Sequence, residues 1–344
     1  MKNTIFKSLI IIFFFLCGKK SAAQDIHFSQ FFETPLLRNP ALAGIFSGDF
    51  RAQAVYRNQW NAVTVPYQTT SLNAEYKMPV GHGDDFLTLG GEIMYDKSGT
   101  IALTATSILP VLNYHKSLSA ERNMYLSAGF SAGVVQRKVD RSKISTNSQF
   151  NGTSYDPTLS DGETFSNDGY VYFDGSAGLS FNSQIGENPD NNLYVGIAYQ
   201  HFNKSAKVSF YDASNVELNA KIVLSAGLKI SVNDYTYLTF HADYSQQGGS
   251  TETIGGVLYS VKLDDPEDPQ HTISGGAFIR WNDAIIPVVK FDVKPLTFAF
   301  SYDVNISQLK TASQGRGGFE LSLSYQKFFD RNNSSREAVR CPRF

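Results

Sequence analysis

From Asp49 to Arg57 the even positions are apolar or aromatic (Phe50, Ala52, Ala54, Tyr56) and the odd ones are mostly polar. Ser71 to Met78 keeps the same parity. A period of two sends alternate side chains to opposite faces of a strand. One face of this ribbon is greasy; the other carries Arg51, Gln53, Glu75 and Lys77. The pattern recurs along the chain and predicts fourteen strands. They lie near 49–59, 68–79, 85–96, 100–115, 122–137, 168–182 and 192–202, then 219–232, 235–246, 251–263, 271–282, 285–293, 296–305 and 317–328. Leu296, Phe298, Phe300 and Tyr302 oppose Thr297, Ser301 and Asp303 in one of the cleanest. Two segments are less regular. In 100–115 the apolar parity shifts around Ser107 to Pro110, which predicts a bulge or kink. In 285–293 Pro287 weakens the strand assignment.

The connections sort by length. With the N-terminus on the inner side, those after odd strands face outward. The three longest, 138–167, 203–218 and 306–316, all do so. Several inward ones, such as 233–234 and 294–295, are short, although 183–191 and 264–270 are middling. Outer-membrane barrels combine long outer loops with short periplasmic turns.

The first 23 residues read as a secretory leader. Lys2 and Lys7 precede a short apolar run, and Ser21-Ala22-Ala23 places cleavage before Gln24. The run is too short to span a bilayer as a helix. Cys17 lacks the small preceding residue of a lipidation site. Only Cys341 then remains, so no internal disulfide can form. The full chain has 30 basic and 32 acidic residues, and losing Lys2, Lys7, Lys19 and Lys20 makes the remainder more acidic. That balance does not suit a nucleic-acid surface. Phe and Tyr are abundant, at 26 and 18 residues, while helical periodicity is nearly absent.

An all-β transmembrane barrel of about fourteen antiparallel strands fits these features, with lipid as the partner of the greasy face. A closed barrel pairs every backbone polar group within the bilayer. Aromatics at strand ends (Tyr56, Trp60, Tyr76, Tyr95, Tyr114, Tyr199, Tyr244, Trp281, Tyr325) fit interfacial girdles. The rival reading is a soluble β-protein with ordinary core aromatics. The expected organisation is leader 1–23, an N-terminal periplasmic or plug segment 24–48, barrel 49–329 and tail 330–344.

Chemistry is thin. The six histidines lack metal-ligand spacing. His241, Asp243 and Ser245 share one strand face, which reads as a hydrogen-bond network in a lumen rather than a hydrolytic triad. Asp264 to Asp268 reads as a solvated acidic turn. No cofactor or metal is expected. Asn39, Pro40, Ala41 and Gly44 form a turn that either bends the chain into the first strand or belongs to a plug or partner-binding segment. Pro40 pushes Asn39 to an extended conformation. Phe150, Tyr155 and Phe165, in a long polar loop, are candidate partner anchors. So are Pro342 and Phe344 at the chain end, where a disordered tail is the plainer reading.

Three pieces in order carry a resemblance: Phe28-Ser29-Gln30-Phe31-Phe32, then Asn39-Pro40-Ala41-Leu42-Ala43-Gly44, then Tyr56-Arg57-Asn58-Gln59-Trp60, with Cys341-Pro342-Arg343-Phe344 at the end. Together they resemble the PorP/SprF family of type IX secretion outer-membrane proteins. The resemblance implies an outer-membrane barrel without enzymatic activity. It would help secrete or anchor surface proteins, including gliding adhesins, through their type IX C-terminal domains. It also implies contact with periplasmic or outer-membrane components of the machine. A passive channel or solute transporter is the alternative function, and an outer-membrane hydrolase is a third.

Overall fold

The computed structural model describes residues 25–61, 64–81, 84–204, 209–211, 217–308 and 310–329. Fourteen antiparallel strands close into one barrel in chain order. They are β1 (Phe50–Gln59), β2 (Tyr67–Val80), β3 (Asp85–Ser98), β4 (Leu103–Ser119) and β5 (Met124–Lys138). Next come β6 (Gly169–Gln184), β7 (Asn192–Gln200), β8 (Lys221–Ser231), β9 (Thr236–Gln247) and β10 (Ser250–Lys262). The last are β11 (His271–Arg280), β12 (Ala284–Val293), β13 (Leu296–Asn305) and β14 (Arg316–Lys327). The closing seam pairs β1 with β14 along the whole of β1, from Phe50↔Lys327 to Gln59↔Gly318.

The faces follow the sequence parity. Outward residues such as Leu126, Phe130, Leu224, Phe298 and Phe300 are exposed and apolar. Inward residues such as Arg51, Glu75, Asn113, Asp303 and Glu320 are buried and polar. A soluble protein would not leave so wide an apolar belt in water; this one faces lipid. Tyr95, Tyr114, Tyr199, Tyr244 and Trp281 lie exposed on that outer surface. Trp60 does not join them. It adopts a left-handed backbone (φ 63°), packs 4.7 Å from the Tyr67 ring and borders a cavity inside the barrel.

The expected bulge in β4 is absent. Its register with β3 runs unbroken from Leu103 to His115, and the shift against β5 falls later, between Ser117 and Ser119. The apolar residues that blurred the parity sit on both faces. Leu109 and Val111 point inward, while Ile108 and Leu112 point to lipid. β12 shows the same doubling. Ile285 and Val289 face lipid, whereas Ala284, Ile286 and Val288 are buried inside. Pro287 is accommodated where the β12–β13 ladder is interrupted.

The cause of this doubling is an N-terminal stretch inside the barrel. Residues 25–49 fill the lumen with three short helical turns, Phe31–Glu33, Pro35–Arg38 and Pro40–Leu42. Asp25 lies among the strand ends that carry the long connections, near His201, Lys221 and Gln247. Asp49 lies at the opposite rim, where its backbone pairs with Lys327 and Lys77. Outer-membrane barrels carry long loops outside, so the stretch descends from the outer rim to the inner one before β1 begins.

Candidate functional site

The lumen segment is held by four sets of contacts. The first involves Ser29 and Gln30. Glu320 on β14 accepts both of their backbone N–H groups, at 2.6 and 2.7 Å. Ser29 Oγ donates to Asp303 on β13 at 2.6 Å. Asp303 also pairs with Arg57 on β1 (3.2 Å) and Arg280 on β11 (2.7 Å). These three side chains are at most 4% exposed. Buried charges persist only when paired and hydrogen-bonded, and here the segment's backbone supplies part of the pairing.

The second set is aromatic. Phe31 and Phe32 pack on Phe278, with Phe31 edge-on at 5.6 Å and Phe32 stacked at 5.1 Å. Ile254, Leu258, Ala284, Ile286 and Val288 complete the cluster. Apolar residues on the inner wall of β10, β11 and β12 thus bury against the segment, which explains the two-sided apolar pattern of β12. Glu33 pairs with Lys290 at 2.9 Å and accepts from Gln53 at 2.8 Å.

Arg38 makes the third set. Its guanidinium grips Asp243 through two hydrogen bonds and donates to Tyr194 Oη at 3.1 Å. His241 stacks on Phe32 at 5.2 Å, and its Nδ1 meets Tyr194 Oη at 3.2 Å. Asp243 therefore serves Arg38 and does not orient His241 toward Ser245. No group of three or more metal-binding side chains occurs among the described residues. Within the acidic turn, Asp264 accepts from His271 at 2.8 Å, and Asp268 pairs with Lys294 at 2.7 Å.

The fourth set seats Asn39 to Phe46. Asn39 is extended (φ −161°) and fully buried. Its Oδ1 accepts from Ala41 N at 2.8 Å, and its Nδ2 donates to Leu179 O at 3.2 Å. Ser180 and Asn113 donate to Ala41 O at 2.7 and 3.0 Å. The wall opposite is glycine. A Cβ at Gly129 would lie 2.4 Å from Pro40 C and Ala41 N; one at Gly178 would lie 1.9 Å from Asn39 Oδ1. Gly196 is nearly as close, 2.8 Å from Asn39 Nδ2. Three adjacent strands thus give up side chains to admit the turn. Gly44 has φ +82°, and a Cβ there would sit 2.1 Å from Thr88 Oγ1. Its N–H donates to Glu75 at 2.7 Å, and Lys77 donates to the carbonyls of Gly44 and Phe46.

The remaining predicted positions lie elsewhere. Phe150 and Tyr155 share an isolated bridge in the outer connection between β5 and β6 and are exposed. Phe165 turns toward the neighbouring connection, stacking on Tyr211 at 4.9 Å and meeting Phe210 edge-on at 6.1 Å. Backbone bonds from Ser166 and Asn167 to Phe210 O reinforce this clasp. Pro342, Phe344 and Cys341 lie outside the described residues, as does the leader.

The outer end of the segment carries a titrating cluster beyond β7. His201 Nε2 meets Asp25 at 2.6 Å and its Nδ1 meets Asp174 at 2.8 Å. Burial opposes charge on His201, but hydrogen bonds to Asp174 and Asp25 outweigh it and raise the pKa to about 9. Burial also opposes charge on Asp25, yet the His201 contact holds its carboxyl well below the usual range. An unfolded histidine titrates near pH ~6.5, so this stabilisation is complete below about that pH and is lost as pH rises through about 9. Thermal unfolding of the barrel in detergent should therefore show lower stability at pH ~10 than at pH ~6. His201→Gln should flatten that difference; an equal pH response in the variant would exclude this origin.

A closed fourteen-strand barrel with a lipid-facing belt and a filled polar lumen defines an outer-membrane barrel protein. Residues 20–325 match the family model described as type IX secretion system membrane protein PorP/SprF, and the chain belongs to that family. Solved barrels are similar to it at low identity. A mutant of the monoaromatic hydrocarbon channel TodX is 11% identical over 87% of this chain and 94% of its own, with a TM-score of 0.50. The Ralstonia pickettii toluene transporter TbuX is 12% identical over 91% and 96%, with a TM-score of 0.48. The translocator domain of NalP from Neisseria meningitidis is 14% identical over 80% and 87%, with a TM-score of 0.38. No curated protein matches the sequence.

Proposed function

We propose that this protein is a non-enzymatic binding barrel of type IX secretion. It holds a secreted surface protein, such as an adhesin, through that protein's C-terminal domain, or couples it to periplasmic and outer-membrane components of the machine. Family membership supplies the secretion context. The observation that favours binding over passive conduction is the lumen segment. Its buried hydrogen bonds and ion pairs reach β1, β2, β9, β12, β13 and β14, with one cavity toward the outer rim and another toward the inner. The clasped outer connections, with Phe150 and Tyr155 exposed, offer a surface for cargo.

Capture of the tagged barrel from native membranes should bring with it a surface protein bearing a type IX C-terminal domain. Deleting the barrel should release that protein into the medium. Retention of every surface protein in the deletion strain would overturn the proposal. Steady ion conductance of the intact barrel in planar bilayers would favour a channel instead.

A further inference from the structure

Between the lumen segment and the outer halves of β1 to β8 lies a cavity of about 350 Å³, a size typical of small-molecule sites. Its composition is unlike the rest of the lumen. Leu36 and Leu37 of the segment border it on one side, and Leu103, Leu109 and Val135 border it from β4 and β5. Deeper inward-facing apolar groups are covered: Val111 packs with Leu36 and Ala43, and Phe278 packs with Phe31. Leu103 and Leu109 remain half-buried, with free apolar surface turned to the cavity.

Two charged side chains bordering the cavity, Asp96 and Arg137, make no ion pair among the described residues, and of these two only Arg137 leaves a buried polar atom unpartnered. Arg57 pairs with Asp303 and Glu320, and His201 pairs with Asp25 and Asp174. Asp96 accepts from the Thr69 and Ser98 hydroxyls. Arg137 lies beside Tyr170 and Tyr172. It makes no ion pair among the described residues, and its buried Nε has no hydrogen-bond partner there. Asp25, a carboxylate near it, is already engaged by His201 and Lys221. Ser107, 3% exposed, borders the same cavity with its Oγ also unpartnered. A guanidinium without a counterion beside an open leucine wall is a complementary surface for an apolar group ending in a carboxylate.

We propose that this outer cavity binds a small amphiphilic carboxylate. The aliphatic or aryl body lies against Leu103, Leu109 and Val135, and the carboxylate accepts from Arg137. The pairing is charge-assisted and the fork geometry selects a planar anion. The same chemistry is offered by a free carboxylic acid and by the terminal residue of a peptide entering from the outer rim. The site is independent of the secretion reading.

The test uses the intact barrel in nanodiscs, with empty nanodiscs subtracted. The Trp281→Phe variant leaves Trp60, on the cavity wall, as the sole tryptophan. Titration with 4-phenylbutyrate, and separately with the peptide Ala-Ala-Leu, should change its fluorescence saturably. 4-Phenylbutanol and the amidated peptide should bind about tenfold more weakly or less, the loss expected for a charge-assisted contact. Arg137→Gln should weaken the acid by a similar factor, Arg137→Lys by less, and Leu109→Phe should weaken acid and alcohol alike. Heat-modifiable gel migration equal to the parent's serves as the folding control for each variant. Binding of only one acid identifies the source and supports the site. Absence of saturable binding by both, equal binding of acid and alcohol, or full affinity in folded Arg137→Gln would overturn it.

Discussion

Replacing Gly178 with leucine is expected to turn a closed barrel into a conducting one. The inward position of this glycine on β6 is occupied by Asn39, whose Oδ1 would lie 1.9 Å from the first added carbon. A whole isobutyl group cannot be absorbed by a rotamer change, because the conflict begins at Cβ. The strand is constrained by its ladders to β5 and β7. The segment is anchored there by a few hydrogen bonds, chiefly Asn39 to Leu179 and Ser180 to Ala41. Overpacking of this kind costs about 1–3 kcal/mol, comparable with those bonds at about 1 kcal/mol each. The segment should therefore lift from β5, β6 and β7 while the strands hold. Planar-bilayer recordings should then show steady current where the parent shows little, with heat-modifiable migration retained. Gly129→Leu should behave alike, since its Cβ would meet Pro40 and Ala41 at 2.4 Å. Folded variants that remain as tight as the parent would show that the turn does not seal the lumen.

The second large effect is expected at Asp303. Asp303→Asn keeps the shape but removes the charge that answers Arg57 and Arg280. Both guanidiniums are 3% exposed, so water cannot replace the lost counter-charge. Breaking one partner of a buried ion network costs about 3–5 kcal/mol. The damage should also reach the lumen segment, because Ser29 donates to the same carboxylate and Arg280 donates to Ser29 Oγ. The variant should unfold at lower temperature in detergent and expose residues 25–33 to added protease. Removing the charges together, with Asp303→Leu, Arg57→Met, Arg280→Met and Glu320→Gln, should recover part of the loss, as neutral replacements of whole buried networks do. A single variant as stable as the parent would show that Glu320 alone balances the two arginines.

The strand framework was legible because lipid and lumen demand opposite side chains at alternating positions. Where the lumen is wet or hydrogen-bonded, as along β13 and β14, the alternation is clean. It blurs in β4 and β12, where Val111, Ile286 and Val288 meet the buried segment rather than a polar interior. The apparent kink was therefore a record of a second layer, which a strand-by-strand reading has no term for. The turn at Asn39 to Gly44 was visible as a feature; its seat was not. Gly129, Gly178 and Gly196 each look like ordinary strand glycines. Their shared signal is that all three stand at inward positions on consecutive strands, an arrangement that leaves room for backbone. His241 and Asp243 were legible as part of a lumen network. Arg38 carried no local pattern that marked it as their partner, because its role depends on a contact 205 residues away in sequence. Phe165 looked like a free loop aromatic, but its clasp depends on Phe210 and Tyr211 in another connection.

The path of the lumen segment also bears on how the chain assembles. Its contacts run through the strands largely in order when the segment is followed backward. Gly44 meets Glu75 on β2, 31 residues away. Ala41 meets Asn113 on β4 and then Ser180 on β6. Arg38 meets Asp243 on β9. Ser29 meets Asp303 on β13 and Glu320 on β14, the latter 291 residues away. A sheet that grew in chain order from β1 would thus meet a further stretch of the segment at most of its steps. The entropy of loop closure rises only slowly with length, so these steps differ little in cost once the preceding one is in place. The segment lies against both strands of the closing seam, meeting Gln53 and Arg57 on β1 and Glu320 on β14.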